Sequence, residues 1–240
     1  MTLRTSESRH DKSLTFYCFS PAVMAATFTI EFLLLIYTFI RYRMTEFGRL
    51  VMLTLFCLGT FQLAEFQICA NSVPEFWSRV GFIVITLLPP LGIHLISLIT
   101  GRRHYIVFSY TLAFLFGTIF LFAPYAITGA VCGGNYIIFN TAQPLAWTYG
   151  MYYFGFLFLG IWEALEDIKG ASRQDFPLRL WMIAGYLSFM VPMDIVYFMV
   201  PAARAAIPSI MCGFALTFAF LLGFVIVPRF HRVRQLKGVR

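Results

Sequence analysis

The sequence predicts an all-α polytopic membrane protein: a bundle of seven transmembrane helices with the N-terminus outside and the C-terminus inside. Three observations predict it. Hydrophobic residues fill 60% of the 240 positions and charged residues only 12%, whereas soluble domains carry about a quarter charged residues. Seven apolar stretches reach the roughly 20 residues that a helix needs to cross hydrocarbon. Lys and Arg are also divided unequally between the two sides that seven crossings would create.

The spans are expected near 22–42, 48–70, 77–100, 104–128, 145–168, 177–200 and 208–229. Helices are the choice because hydrocarbon offers no partner to an unbonded peptide group. Runs such as Phe32-Leu33-Leu34-Leu35-Ile36 lack the alternation of a β-barrel strand. The 1–2, 3–4 and 5–6 loops and the C-terminal stretch hold 13 of the 18 Lys and Arg, and Arg4, Arg9, Lys12, Arg79 and Arg204 fall on the other side. The positive-inside rule assigns the richer side to the cytoplasm. The chain then divides into a polar extracytoplasmic tail (1–20), a transmembrane domain (21–230) and a basic cytoplasmic tail (231–240). Residues 1–20 show no cleavage signal. The longest outer connection, Gly129 to Pro144, has no charge, and Gly133-Gly134-Asn135 marks a turn in it.

Several chemistries find no residues here. Lys12, Lys169 and Lys237 are the three lysines, and none lies in a span, so a retinal Schiff base has no anchor. His94 is the one intramembrane histidine, so a bis-histidine haem has no pair. No Cys/His cluster has metal-ligand spacing, and no nucleophile–base pair or phosphate-binding loop appears. No cofactor is expected, and a membrane enzyme ranks last. The basic charge sits in short loops, so nucleic acid is not an expected partner; the expected partners are the bilayer and another protein or a second copy. Four of the five cysteines fall near the oxidising outer side. Cys69 and Cys132 are candidates for a bridge; free thiols in apolar helices are the alternative.

Ionisable residues inside spans are costly and carry a functional hypothesis by default. Glu31, Glu65 and Asp194, with Arg79 and the aromatic residues Trp147, Tyr149, Tyr152 and Tyr153, could line a polar pocket open to the outside. The bland alternative is interhelical bonding, such as Glu65 to Arg79, plus an interfacial aromatic belt. His94 and Glu163 lie deeper, at similar depth, and would satisfy each other as a pair; the choice is between a proton-sensitive switch and a buried structural histidine. Pro89, Pro90 and Pro192 break helical hydrogen bonding and mark candidate hinges.

Trp77-Ser78-Arg79-Val80-Gly81-Phe82, Leu88-Pro89-Pro90, His94-Leu95 and Thr100-Gly101-Arg102 resemble the third helix of the seven-transmembrane sensor region of certain bacterial histidine kinases. Pro144 to Gly150 with Tyr152-Tyr153, and Arg179 to Pro192, resemble that family's fifth and sixth helices. The resemblance implies a sensory domain of the bacterial inner membrane, with an extracytoplasmic N-terminus and a last helix leading into a signalling module. No dimerisation helix or ATP-binding domain precedes Arg240, so the sequence reads as the sensor without the kinase. The expected function is a membrane-embedded sensory or receptor-like module acting through a partner. The alternatives are a non-catalytic subunit of a membrane complex and a small transporter or proton carrier.

Overall fold

The computed structural model describes residues 20–70, 73–133, 136–166, 168 and 175–236. Several sequence expectations fall outside these residues: the N-terminal tail with Arg4, Arg9 and Lys12, the Gly134-Asn135 turn, the 5–6 loop residues Lys169 and Arg173, and Lys237 and Arg240.

Helix α1 (Pro21–Tyr42) runs into α2 (Glu46–Cys69) through a tight corner. Thr45 caps α2 by accepting from the Gly48 amide at 3.0 Å, and its hydroxyl donates to the Tyr42 carbonyl. α1 buries one stripe, Met24, Thr27, Glu31, Leu34, Thr38 and Tyr42, at steps of three or four. The expected third helix is two segments, α3 (Pro74–Thr86) and α4 (Leu88–Thr100), broken at Leu87 before Pro89-Pro90. α4 ends at Gly101, whose φ of 82° is the left-handed closing conformation that favours glycine. α5 (Ile106–Phe122), α6 (Gln143–Glu166) and α7 (Phe176–Met199) follow; α7 contains Pro192.

The last rod consists of a 3₁₀ turn (Pro201–Ala206), α8 (Ile207–Phe220), a π-helical turn (Leu221–Ile226) and α9 (Val227–Leu236). The π turn directly precedes Pro228, whose missing N–H already interrupts the backbone ladder. Hydropathy ends this helix at 229, but the helix runs on to Leu236 through the stretch read as a basic tail. Arg229 lies over the Trp181 ring, and Phe230 stacks on Phe47 at 4.1 Å. These contacts tie α9 to α7 and α2.

Five helical stretches are long and apolar enough to cross a membrane: Pro21–Tyr42, Glu46–Cys69, Pro74–Thr100, Phe176–Met199 and Ala203–Leu236. α5 is apolar but shorter, at 17 residues. Phe108, Phe114, Phe122, Phe158 and Phe198 stand exposed on the outside of the bundle, a surface that suits lipid rather than water.

The 4–5 connection, read as a loop, is an antiparallel hairpin, β1 (Ile127–Cys132) and β2 (Ile137–Thr141). A Cys69–Cys132 disulfide fixes it to the end of α2. Ile127, Ile137 and Phe139 point into the bundle, and Phe139 packs on Phe61 and Phe82. The hairpin therefore plugs one end of the bundle. Cross-linking residues 63 apart lowers the entropy of the unfolded chain by about 4 kcal/mol in the chain-entropy account.

At the centre, the Tyr186 hydroxyl of α7 sits against Gly92 of α4 and Gly160 of α6. A methyl at 92 would collide with that oxygen. Gly92→Ala should therefore destabilise the folded bundle by about 1–3 kcal/mol, read as a lower thermal midpoint in detergent. Adding Tyr186→Phe, which removes the oxygen, should recover most of the loss.

Candidate functional site

Two features of the interior carry chemistry that packing alone does not require. The first is an acidic layer between α1, α2 and α8. The central position of Glu31 on the only buried stripe of α1 directs it at α2, where Gly59 leaves room for it. Gln62, three residues beyond Gly59, lies close to that face, and Glu65, three further on, lies within electrostatic reach of Glu31. Glu31, Glu65 and Gln62 are 0%, 1% and 2% exposed. The hydroxyl of Ser209, on α8, is hydrogen-bonded to the Glu65 carboxyl, and Ser209 Oγ accepts from the Ile137 amide of the hairpin at 3.3 Å. The buried thiol of Cys212 lies within electrostatic reach of both glutamates. Among the described residues, both Glu31 oxygens, Glu65 Oε1 and Gln62 Nε2 have no hydrogen-bond partner. Burying two ionised carboxylates without a counter-ion costs several kcal/mol each, a cost that close packing alone does not offset.

The second feature is the α3–α4 break. Pro90 has no N–H for the Thr86 carbonyl four residues earlier. Tyr152 of α6 supplies the missing donor, its hydroxyl reaching the Thr86 oxygen at 2.7 Å. The Thr86 and Tyr149 hydroxyls are hydrogen-bonded at 3.1 Å, and Tyr149 packs on Phe116 and Phe120 at 5.4 and 5.0 Å. A side chain from another helix thus completes the backbone of a broken span. Tyr152 also lines a groove of about 440 Å³ between α5 and α6.

No protein-family model and no curated protein matches the chain.

The expected outer pocket is only partly assembled. Glu31 and Glu65 meet, but in a sealed layer. Tyr149, Tyr152 and Tyr153 are buried core residues, while Trp147 is 68% exposed on the outer face of α6. Arg79 does not pair with Glu65: its Nη1 donates to the carbonyls of Phe120 (2.7 Å) and Ala123 (3.2 Å). The Phe120 carbonyl, for which Pro124 has no N–H, belongs to the negative pole of the α5 dipole, and the Ala123 carbonyl just beyond the helix also accepts from the Ala126 amide at 3.2 Å. Asp194 is half-buried on α7, outside the layer. The expected His94–Glu163 pair is replaced by other partners. His94 Nδ1 lies 3.3 Å from the Tyr110 hydroxyl, and Nε2 lies 3.9 Å from Glu46. Glu163 is 3% exposed and lies within electrostatic reach of Arg102, His104 and Tyr186.

Sequence reasoning passed over Gln62, Ser209, Cys212 and Thr86. Gln62 was within reach of it, three residues before Glu65 on a helix face, but an uncharged amide raises no alarm in a span. Between the two polar levels lies a cavity of about 30 Å³, room for one water. Leu58, Leu88, Leu95, Leu157, Met211 and Phe218 are among its lining residues.

If the unpartnered oxygens are left bare, Glu31→Met should raise the thermal midpoint, by on the order of 1–3 kcal/mol of stability. A fall instead would mean that a bound cation or proton holds the layer together.

Proposed function

We propose that the chain is a seven-span sensory module of a bacterial inner membrane, relaying a change in helix packing to a cytoplasmic partner. α5 and α6 supply the two crossings beyond the five long apolar stretches; at about 1.5 Å per residue, α5 reaches about 26 Å of a roughly 30 Å core. The Lys/Arg bias places α9 in the cytoplasm with the N-terminus outside. Independently, the Cys69–Cys132 disulfide suits an oxidising compartment at the opposite, hairpin end. The resemblance of helix 3 to kinase sensors points the same way.

The observation that carries the sensory reading is the Tyr152–Thr86 tie across the Pro89-Pro90 break. It makes a hinge whose backbone is completed by one removable contact, the kind of element that has two packings for a stimulus to choose between. The rod from Ala203 to Leu236 is 34 residues long, about 51 Å at 1.5 Å per residue. It therefore extends well past the hydrocarbon core and offers a handle to a partner. A second reading, a non-catalytic subunit of a membrane complex, draws on the closed core and its single-water cavity. Proton or solute carriage has less support, because the cavity between the two polar levels has room for only one water.

Hydrogen–deuterium exchange separates the first two readings. Tyr152→Phe, which removes only the donor, should speed exchange in α4 and also in α9, where no contact was changed. Faster exchange confined to α3, α4 and α6 would favour the structural subunit. For topology, a periplasm-active reporter fused after Leu236 should be silent and a cytoplasm-active one should work.

A further inference from the structure

We propose that the groove between α5 and α6 binds one acyl chain of an anionic phospholipid of the inner leaflet, and that this chain is the input to the Tyr152–Thr86 hinge; the second half of this proposal rests on the sensory reading above.

Shape comes first. The groove runs from Tyr105 and Leu159 at the arginine-rich end to Phe116 and Thr148. Eleven residue steps along each wall give it about 16 Å of length at 1.5 Å per residue, the depth of one leaflet of a roughly 30 Å core. Its volume of about 440 Å³ spread over that length leaves a cross-section of about 27 Å², or a width of about 5 Å. A hydrocarbon chain fits that width. The floor is open at Gly155, where an added Cβ would meet nothing within 4 Å.

Charge selects the headgroup. The groove's mouth adjoins the α4–α5 turn, where Arg103 and His104 are exposed beside Tyr105. The neighbouring Arg102 is already committed to Glu166 at 2.6 Å. A guanidinium at the membrane surface recognises a phosphate by bidentate hydrogen bonds. A chain entering from a headgroup held there would lie along Phe108 and Leu112 and end against Phe116 and Tyr152. Those two rings pack 4.9 Å apart, and Tyr152 donates to Thr86. An occupied groove would hold that ring more firmly against the hinge.

The test uses the full chain in nanodiscs of phosphatidylcholine or phosphatidylglycerol, with bound lipid read by native mass spectrometry after release. Wild type should retain one lipid per chain. It should prefer phosphatidylglycerol about fivefold, the equivalent of one arginine's attraction near the surface. Arg103→Gln should remove that preference, and Gly155→Phe should remove retention of both lipids. Gly155→Ala, too small to fill the groove, should keep retention and serves as the folding control. Retention unchanged in Gly155→Phe overturns the site, as does a wild-type dimer that Gly155→Phe dissociates, which would make a second copy the occupant. Exchange in α4 then tests the coupling separately. Phosphatidylglycerol should slow it in wild type and not in Gly155→Phe. Retention without that slowing overturns the input role while the site stands; loss of the site with Tyr152→Phe still loosening α9 leaves the sensory reading intact.

Discussion

Within a bilayer, every peptide carbonyl must find a donor inside the protein, and Pro89-Pro90 withdraw two donors from the middle of one span. Much of the interior follows from that deficit. The Leu87 amide turns back to Val84 at 3.2 Å, which closes α3. The Thr86 carbonyl stays open until Tyr152 reaches it, so α6 must lie against the α3–α4 junction. That placement brings Gly160 of α6 opposite Gly92 of α4, with Tyr186 of α7 filling the space between them. One local shortage of N–H groups thereby helps fix the relation of three neighbouring helices.

The charged residues obey the same rule at different cost. Arg79 is spent on the carbonyls of Phe120 and Ala123 at the end of α5, a helix cap made by a neighbouring helix. Glu31 and Glu65 have no comparable cation beside them among the described residues. They are sealed by the hairpin, whose Ile137 amide binds the same Ser209 that bonds Glu65. The hairpin is thus both plug and part of the polar layer, and the Cys69–Cys132 link keeps it there. Between this layer and the His94 and Glu163 level lies a cavity with room for one water, lined by leucines and also by Tyr153, Tyr186 and Cys212.

Much of the membrane character was legible in the sequence. Apolar runs add their preferences residue by residue, and no partner is needed to read them, so α1, α2, α7 and the start of α8 fall within a residue or two of expectation. The hinge at Pro89-Pro90 was legible as a break because proline's missing N–H is a local fact. The hairpin was not: its strands are short and uncharged, the first carries a glycine, and they gain their structure from packing on Phe61 and Phe82. The end of the last helix was misplaced because Arg229, Arg232 and Arg234 lower the hydropathy without breaking the helix, which leans on Trp181 and Phe47.

By itself the sequence determined the solvent, the helical class, the intramembrane acids and the places where the backbone ladder must fail. Those properties depend on each residue's own chemistry in hydrocarbon. Only the tertiary structure decided who completes whom: Tyr152 for Thr86, Arg79 for α5 rather than Glu65, Tyr110 and Glu46 rather than Glu163 for His94, and Ser209 for Glu65. A hydrogen bond depends on distances of a few tenths of an ångström between chain segments tens of residues apart, and composition and spacing along one helix do not contain that information.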